Sequence, residues 1–99
     1  DIHQAVSRRL TEAGLPFTHE KNLAPGCRID FWCGGVGIEI KKGKPKPSAL
    51  LEQLRRYAVS EEIAALVVLT QRSVRLPASV CGKPLVQLTL NQLWGVALP

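Results

Sequence analysis

The sequence predicts an α/β fold in which one mixed sheet is flanked by helices, and three stretches carry that prediction. From Arg28 to Gly43, apolar and polar residues alternate on both sides of Gly34-Gly35. This is the pattern of two antiparallel strands joined by a two-residue turn, with glycine supplying the positive φ such turns need. Ile63 to Thr70, I-A-A-L-V-V-L-T, is too uniformly apolar for a half-exposed strand and suits a central one covered on both faces. Between these stretches, Ala49 to Ser60 places Leu50, Leu51, Leu54 and Ala58 on one side of a helix. A helical crossover makes the strands it joins parallel, so the sheet combines both pairings.

The remaining elements follow in order. Ile2, Val6, Leu10 and Ala13 recur near helical spacing, with Arg8, Arg9 and Glu12 outside the stripe. Asp1 is placed to cap that helix and Gly14 to end it. Leu15 to Lys21 reads as a first strand, with Pro16 at its entrance, where a missing N–H does least harm. Asn22 to Gly26 reads as a turn punctuated by Pro25-Gly26. After the hairpin, G-K-P-K-P-S is a short extended linker in which Ser48 is the expected N-cap of the second helix. Gln71 to Ser79 is a connection with room for a helical turn, and Lys83 to Leu90 reads as a fifth strand. Asn91 to Leu98 forms a closing segment in which Trp94 is expected on the sheet. Residues 1–99 are expected to form a single domain.

Ninety-nine residues, 45% of them hydrophobic, suffice for one small core. Apolar runs of only a few residues exclude a membrane-spanning helix, and no signal peptide is expected before the first helix. Three cysteines cannot all pair, and none lies in a C-x-x-C. Cys27 and Cys33 share the parity of Ile29 and Phe31, so they read as small buried hydrophobes rather than zinc ligands. A reducing, cytoplasmic setting is expected. The net charge of +5 points to a polyanionic partner. Lys41, Lys42, Lys44 and Lys46 leave the hairpin together, and Arg55 and Arg56 follow. Such a run is either a solvated loop or a phosphate-tracking surface with salt-dependent binding.

Chemistry concentrates on the hairpin. If Cys33 pairs with Val36, Asp30 falls opposite Glu39 and Arg28 opposite Lys41. Asp30, Glu39 and Lys41 then share one face, while Ile29, Phe31, Ile38 and Ile40 share the other. Opposed Cβ atoms lie roughly 4.5 to 5.5 Å apart, where like charges are destabilising. Either both acids are solvated on an open face, or a hard divalent cation sits between them. Mg²⁺ favours one or two carboxylates plus water and substrate phosphate oxygens. Lys41 would then orient a water or neutralise charge developing on a phosphate.

The D-x8-E-I-K pattern of Asp30, Glu39 and Lys41 resembles the PD-(D/E)xK nuclease superfamily, although Ile29 stands where the family's proline would be. Twelve residues beyond Lys41, E-Q-L-R-R-Y places Gln53 and Tyr57 on one helical ridge. That Q-x3-Y is similar to the motif of the branch containing bacterial recombination and phage exonucleases. The resemblance implies a restriction-endonuclease-like core, α-β-β-β-α-β with a further C-terminal strand, and a Mg²⁺- or Mn²⁺-dependent deoxyribonuclease of a bacterial or phage-like intracellular setting. It implies that Asp30, Glu39 and the backbone carbonyl of Ile40 hold the metal, that Lys41 steers the attacking water, and that the products carry 5′-phosphate and 3′-hydroxyl ends. Gln53 would bridge toward the metal shell or the substrate phosphate. Tyr57 would meet a phosphate or brace the site, and Lys42, Lys44 and Arg56 would meet the DNA backbone. Glu20 is either a third metal carboxylate or a surface acid balancing Lys21. His3 lies near where relatives carry an acid on the first helix, and is either a ligand or an exposed side chain without a role. Two rivals remain at this point: a basic nucleic-acid-binding module on the same scaffold that does not cut, and a pure interaction domain. So small a domain leaves room for a homodimer or a fused DNA-binding partner.

Overall fold

A computed structural model describes residues 1–90; the expected closing segment, with Trp94, lies outside the described residues. The chain runs α1 (Ile2–Glu12), β1 (Thr18–Ala24), β2 (Cys27–Cys33), β3 (Val36–Lys41), α2 (Pro47–Ala58), β4 (Ala65–Thr70), β5 (Ser79–Val80) and β6 (Lys83–Thr89). This is the restriction-endonuclease-like order α-β-β-β-α-β with additional C-terminal strands. The strands form one sheet in the order β1-β2-β3-β4-β6-β5. β1, β2 and β3 are antiparallel neighbours, whereas β3, β4 and β6 run parallel.

Each face of the sheet has its own core. Leu50, Leu54, Tyr57 and Ala58 of α2 pack with Ile29, Leu66, Val68 and Leu85. Val6 of α1 packs with Phe31, Ile40 and Leu69 on the other side, where Val67 and Leu88 join it. Successive β4 residues therefore alternate between the two layers, which is why its sequence has no polar face.

Local chemistry sets the boundaries. The Asp1 carboxylate accepts the Gln4 N–H at 3.2 Å and caps α1. Gly14, at φ +72°, ends it in a Schellman turn: Leu15 N–H donates to Leu10 O and Gly14 N–H to Thr11 O, both at 3.0 Å. Gly34 and Gly35 sit at φ +55° and +97°, as a primed two-residue turn requires, and Cys33 pairs with Val36.

Several details depart from expectation. β1 begins at Thr18 rather than Leu15 and continues to Ala24, leaving only Pro25-Gly26 for the turn. The α2 helix starts at Pro47, with Lys46 at the N-cap and no side-chain cap, so Ser48 already lies within the helix. Proline is pre-organised for the first helical position, and that preference prevails over the serine cap. The connection after β4 contains no helical turn, and the two-residue β5 makes the last strand sixth rather than fifth. Cys27 and Cys33 are half-buried, Cys81 is exposed, and all three are free thiols.

Candidate active site

The hairpin opens where the acids face each other. Its β-ladder runs from Cys33↔Val36 to Phe31↔Ile38, and one step further the backbone of each strand bonds to a side chain of the other. Ile40 N–H donates to Asp30 Oδ2 at 2.8 Å, and Asp30 N–H donates to Glu39 Oε1 at 3.3 Å. The opposition expected from the register is thus a reciprocal clasp, with each carboxylate accepting a backbone N–H from the strand across.

The clasp bends β2. Glu20, beside Asp30 in the β1 register, takes φ +57°, and the β1–β2 pairing skips that step. Ile29 and Phe31 should share a face by parity. Instead, Ile29 packs in the α2 layer and Phe31 in the α1 layer. The expectation that Ile29, Phe31, Ile38 and Ile40 all point one way therefore fails at Ile29, next to the step at which the β1–β2 pairing is interrupted.

Glu39 is only 4% exposed, yet Lys41 Nζ stands 3.3 Å from its Oε2, with the lysine side chain 30% exposed. Burial pushes the Glu39 carboxyl above its ordinary value, and the Asp30 charge adds to the shift; Lys41 and the Asp30 N–H oppose it without cancelling it. Asp30, Glu39 and Lys41 thus form one hydrogen-bonded and charged group at the end of the hairpin ladder.

The helix ridge meets β2 two residues before Asp30. Gln53 Nε2 donates to Tyr57 Oη at 2.9 Å, and Tyr57 Oη donates to Arg28 O at 3.0 Å. Burial first, then the Glu39 charge, holds the Tyr57 hydroxyl well above its ordinary range, so it keeps its proton. Tyr57 is 2% exposed, and its hydroxyl bonds to Gln53 and to the Arg28 carbonyl. Tyr57→Phe leaves the Arg28 carbonyl and the Gln53 amide without this partner. It is expected to destabilise by roughly 1 to 2 kcal/mol, the scale of an unsatisfied buried polar group. Urea unfolding reads this directly, and an unchanged midpoint would show that the bridge contributes nothing.

Among the described residues, the other candidates make no ion pair with Asp30 or Glu39. The Glu20 carboxylate meets the Arg28 guanidinium at 3.9 Å, while Lys21 pairs with Glu62 at 2.7 Å, so Glu20 does not balance Lys21. His3 is half-buried rather than exposed. Its ring centroid lies 5.7 Å from that of His19 and 5.9 Å from that of Phe31, which belongs to the α1 layer. Among the described residues, no three His, Cys, Asp or Glu side chains gather as a ligand set. Lys42, Lys44 and Arg56 are exposed.

The donor set can still hold a hard divalent cation. Asp30 and Glu39 offer oxygen ligands only, and Mg²⁺ typically takes one or two carboxylates and completes its shell with water and phosphate oxygens. A cation would also compensate the charge that burial and Asp30 make unfavourable on Glu39.

Sequence reasoning passed over the loop between β4 and β5. Arg72 N–H donates to Gly43 O at 3.3 Å, and Gly43 N–H donates to Gln71 Oε1. Gln71 and Arg72 therefore lie against the linker that follows Lys41. The only signal for this was the absence of acids from 63 to 90 beside Arg72 and Arg75. Comparison with known proteins finds no matching family model, no matching curated protein and no matching solved structure.

Proposed function

We propose that this chain is a metal-dependent nuclease of the PD-(D/E)xK type that hydrolyses phosphodiester bonds of DNA. The observation that most supports this reading is the buried Glu39 carboxylate, held against Asp30 through the clasp, with Lys41 Nζ at 3.3 Å. A fold with no use for these charges has a cheaper option in apolar residues, since burying like charges together is costly. The restriction-endonuclease-like order and the Gln53–Tyr57 ridge supply the scaffold for the same chemistry.

Asp30, Glu39 and the Ile40 carbonyl are the residues that would hold Mg²⁺ or Mn²⁺. Such an ion supplies Lewis acidity at a phosphoryl oxygen. Lys41 contributes a positive charge and three N–H donors, suited to orienting a water in line with phosphorus and to stabilising charge on the phosphoryl oxygens. The water oxygen forms one bond to phosphorus as the bond to the 3′-oxygen breaks, which leaves a 5′-phosphate and a 3′-hydroxyl. Gln53 and Tyr57 act as positioning residues, fixing the Arg28 backbone next to Asp30.

The partner is DNA, met through a basic surface that includes Lys42, Lys44 and Arg56. Among the described residues no helix is long and apolar enough to cross a membrane. A homodimer, or a DNA-binding domain joined to this one, would enlarge the grip of so small a scaffold on a duplex.

The test is incubation with supercoiled, linear, single-stranded and branched DNA in Mg²⁺, in Mn²⁺ and in chelator. Cleavage is expected with either ion and none with chelator. Cutting that persists in chelator would overturn the metal assignment. Salt-sensitive binding with no cutting under any condition would make the protein a non-cleaving binding module instead.

A further inference from the structure

We infer that Arg72 and Arg75, carried on the loop from Thr70 to Ser79, form with Lys42 and Lys44 a two-loop clasp that grips the phosphate backbone of DNA beside the Asp30–Glu39 pair. The inference deepens the nuclease reading and rests on it for the identity of the polyanion.

Position comes from the topology. Lys41 and Thr70 are register partners at the carboxyl ends of parallel β3 and β4. The loops that follow them, 42–46 and 71–78, therefore leave the sheet side by side. Ligands of open α/β sheets bind outside these strand ends. Two cross-loop bonds join the segments, Arg72 N–H to Gly43 O at 3.3 Å and Gly43 N–H to Gln71 Oε1.

The second loop has no regular secondary structure, yet it is held in place. Gln87 of β6 makes a paired bond to the backbone of Val74: Oε1 accepts Val74 N–H at 2.9 Å and Nε2 donates to Val74 O at 2.7 Å. The Thr70 hydroxyl donates to the same Oε1 at 3.1 Å. Val74 is buried in the α2 layer, and Leu76 packs against it. Fixing the backbone at Val74 leaves Arg72 and Arg75 exposed on either side of it.

Charge gives the ligand class. No acid occurs from 40 to 51 or from 63 to 90, so both loops are uniformly basic. Lys42, Lys44, Arg72 and Arg75 make no ion pair among the described residues. A loop spared neutralising partners and tied down by buried side-chain bonds has already lost the freedom that binding would otherwise remove. Guanidinium groups suit phosphate oxygens because they donate in a planar fork.

The experiment measures anisotropy of labelled duplex DNA bound to the 99-residue protein, with chelator present, across a series of salt concentrations. The slope of log affinity against log salt is expected to become shallower by about 0.9 in Arg72→Ala and by about 1.8 in Arg72→Ala/Arg75→Ala. Arg72→Lys should restore most of the slope, since charge is what the slope counts. The cross-loop bond of Arg72 uses its backbone N–H, so the alanine variant keeps it. Lys83→Ala is the control: Lys83 lies at the amino end of β6, where its Nζ donates to Ser60 O at 2.8 Å. It should leave the slope unchanged. Unmoved slopes in the arginine variants, or an equal fall in Lys83→Ala, would overturn the clasp. A parent chain without salt-dependent binding would overturn the clasp and the nuclease reading together. Slopes that respond in a protein that never cuts would remove the nuclease reading alone, and cutting with unmoved slopes would remove the clasp alone.

Discussion

Glu39→Gln is expected to lower metal-dependent cleavage by about 10²- to 10³-fold or more, the scale on which losing one transition-state electrostatic contact registers. The same change should relieve the fold of a pH-dependent strain. Burial and the Asp30 charge raise the Glu39 carboxyl above its ordinary value of 4.5. The native protein therefore holds this proton more firmly than the unfolded chain does. Stability rises with pH where the unfolded state binds more protons, so here the sign is reversed. The contribution is fully present below about 4.5 and is lost as pH rises through the higher native value. The glutamine variant has no such titration.

Denaturation of parent and variant across the range from acidic to neutral pH should show the parent losing ground as pH rises. The single amide oxygen that Glu39→Gln leaves in place can take over only one of the two bonds now made by the carboxylate, to Asp30 N–H or to Lys41 Nζ. The difference in slope, not the absolute midpoint, is therefore the quantity to compare. At neutral pH, Mn²⁺ should raise the midpoint of the parent and not of the variant, because an ion bound only by the native state stabilises it by mass action. Parallel pH slopes, or equal stabilisation of both proteins by Mn²⁺, would remove the basis for the metal assignment.

The features legible beforehand are those whose causes lie close together in the chain. Gly34-Gly35 with alternation on both sides specifies the hairpin and its register through Cys33↔Val36. The unbroken apolar run ending at Thr70 specifies a strand between two layers. The grouping of Asp30, Glu39 and Lys41 follows from that same register. Features that escaped depend on distant partners or on competition between local rules. The switch of Ile29 to the α2 layer accompanies the bond from Ile40 N–H to Asp30 and the positive φ of Glu20, and a period-of-two pattern registers neither. At the start of α2 two local signals compete, Ser48 as a cap and Pro47 as a first residue, and the backbone restriction of proline decides. The loop after β4 reads as featureless because its anchor, Gln87, lies thirteen residues beyond Val74 and on another strand.

Gly37 gives the second large effect, and composition alone conceals it. Its φ is not positive, so it is not a turn glycine. The reason for glycine is space: an added Cβ would stand 2.5 Å from Ile29 Cδ1, 2.9 Å from Ile63 Cδ1 and 3.0 Å from Leu66 Cδ2. A single methyl tip turns aside readily. Here three converge, and Ile29, Ile63 and Leu66 are themselves buried in the α2 layer, where close packing resists displacement. Gly37→Ala is therefore expected to destabilise by about 1 to 3 kcal/mol, the range for overpacking a filled core. For a domain of this size, each kcal/mol lowers the melting temperature by about 4 to 8 °C. The diagnosis is steric, so Ile29→Val, which deletes the nearest of the three methyls, separates it from a general intolerance of alanine. On its own Ile29→Val should cost about 0.5 to 1.5 kcal/mol. Combined with Gly37→Ala it should cost less than the sum of the two single changes, since it removes the closest of the three methyls while Ile63 Cδ1 at 2.9 Å and Leu66 Cδ2 at 3.0 Å remain. Strict additivity in the double variant would show that some other constraint requires glycine two residues before Glu39.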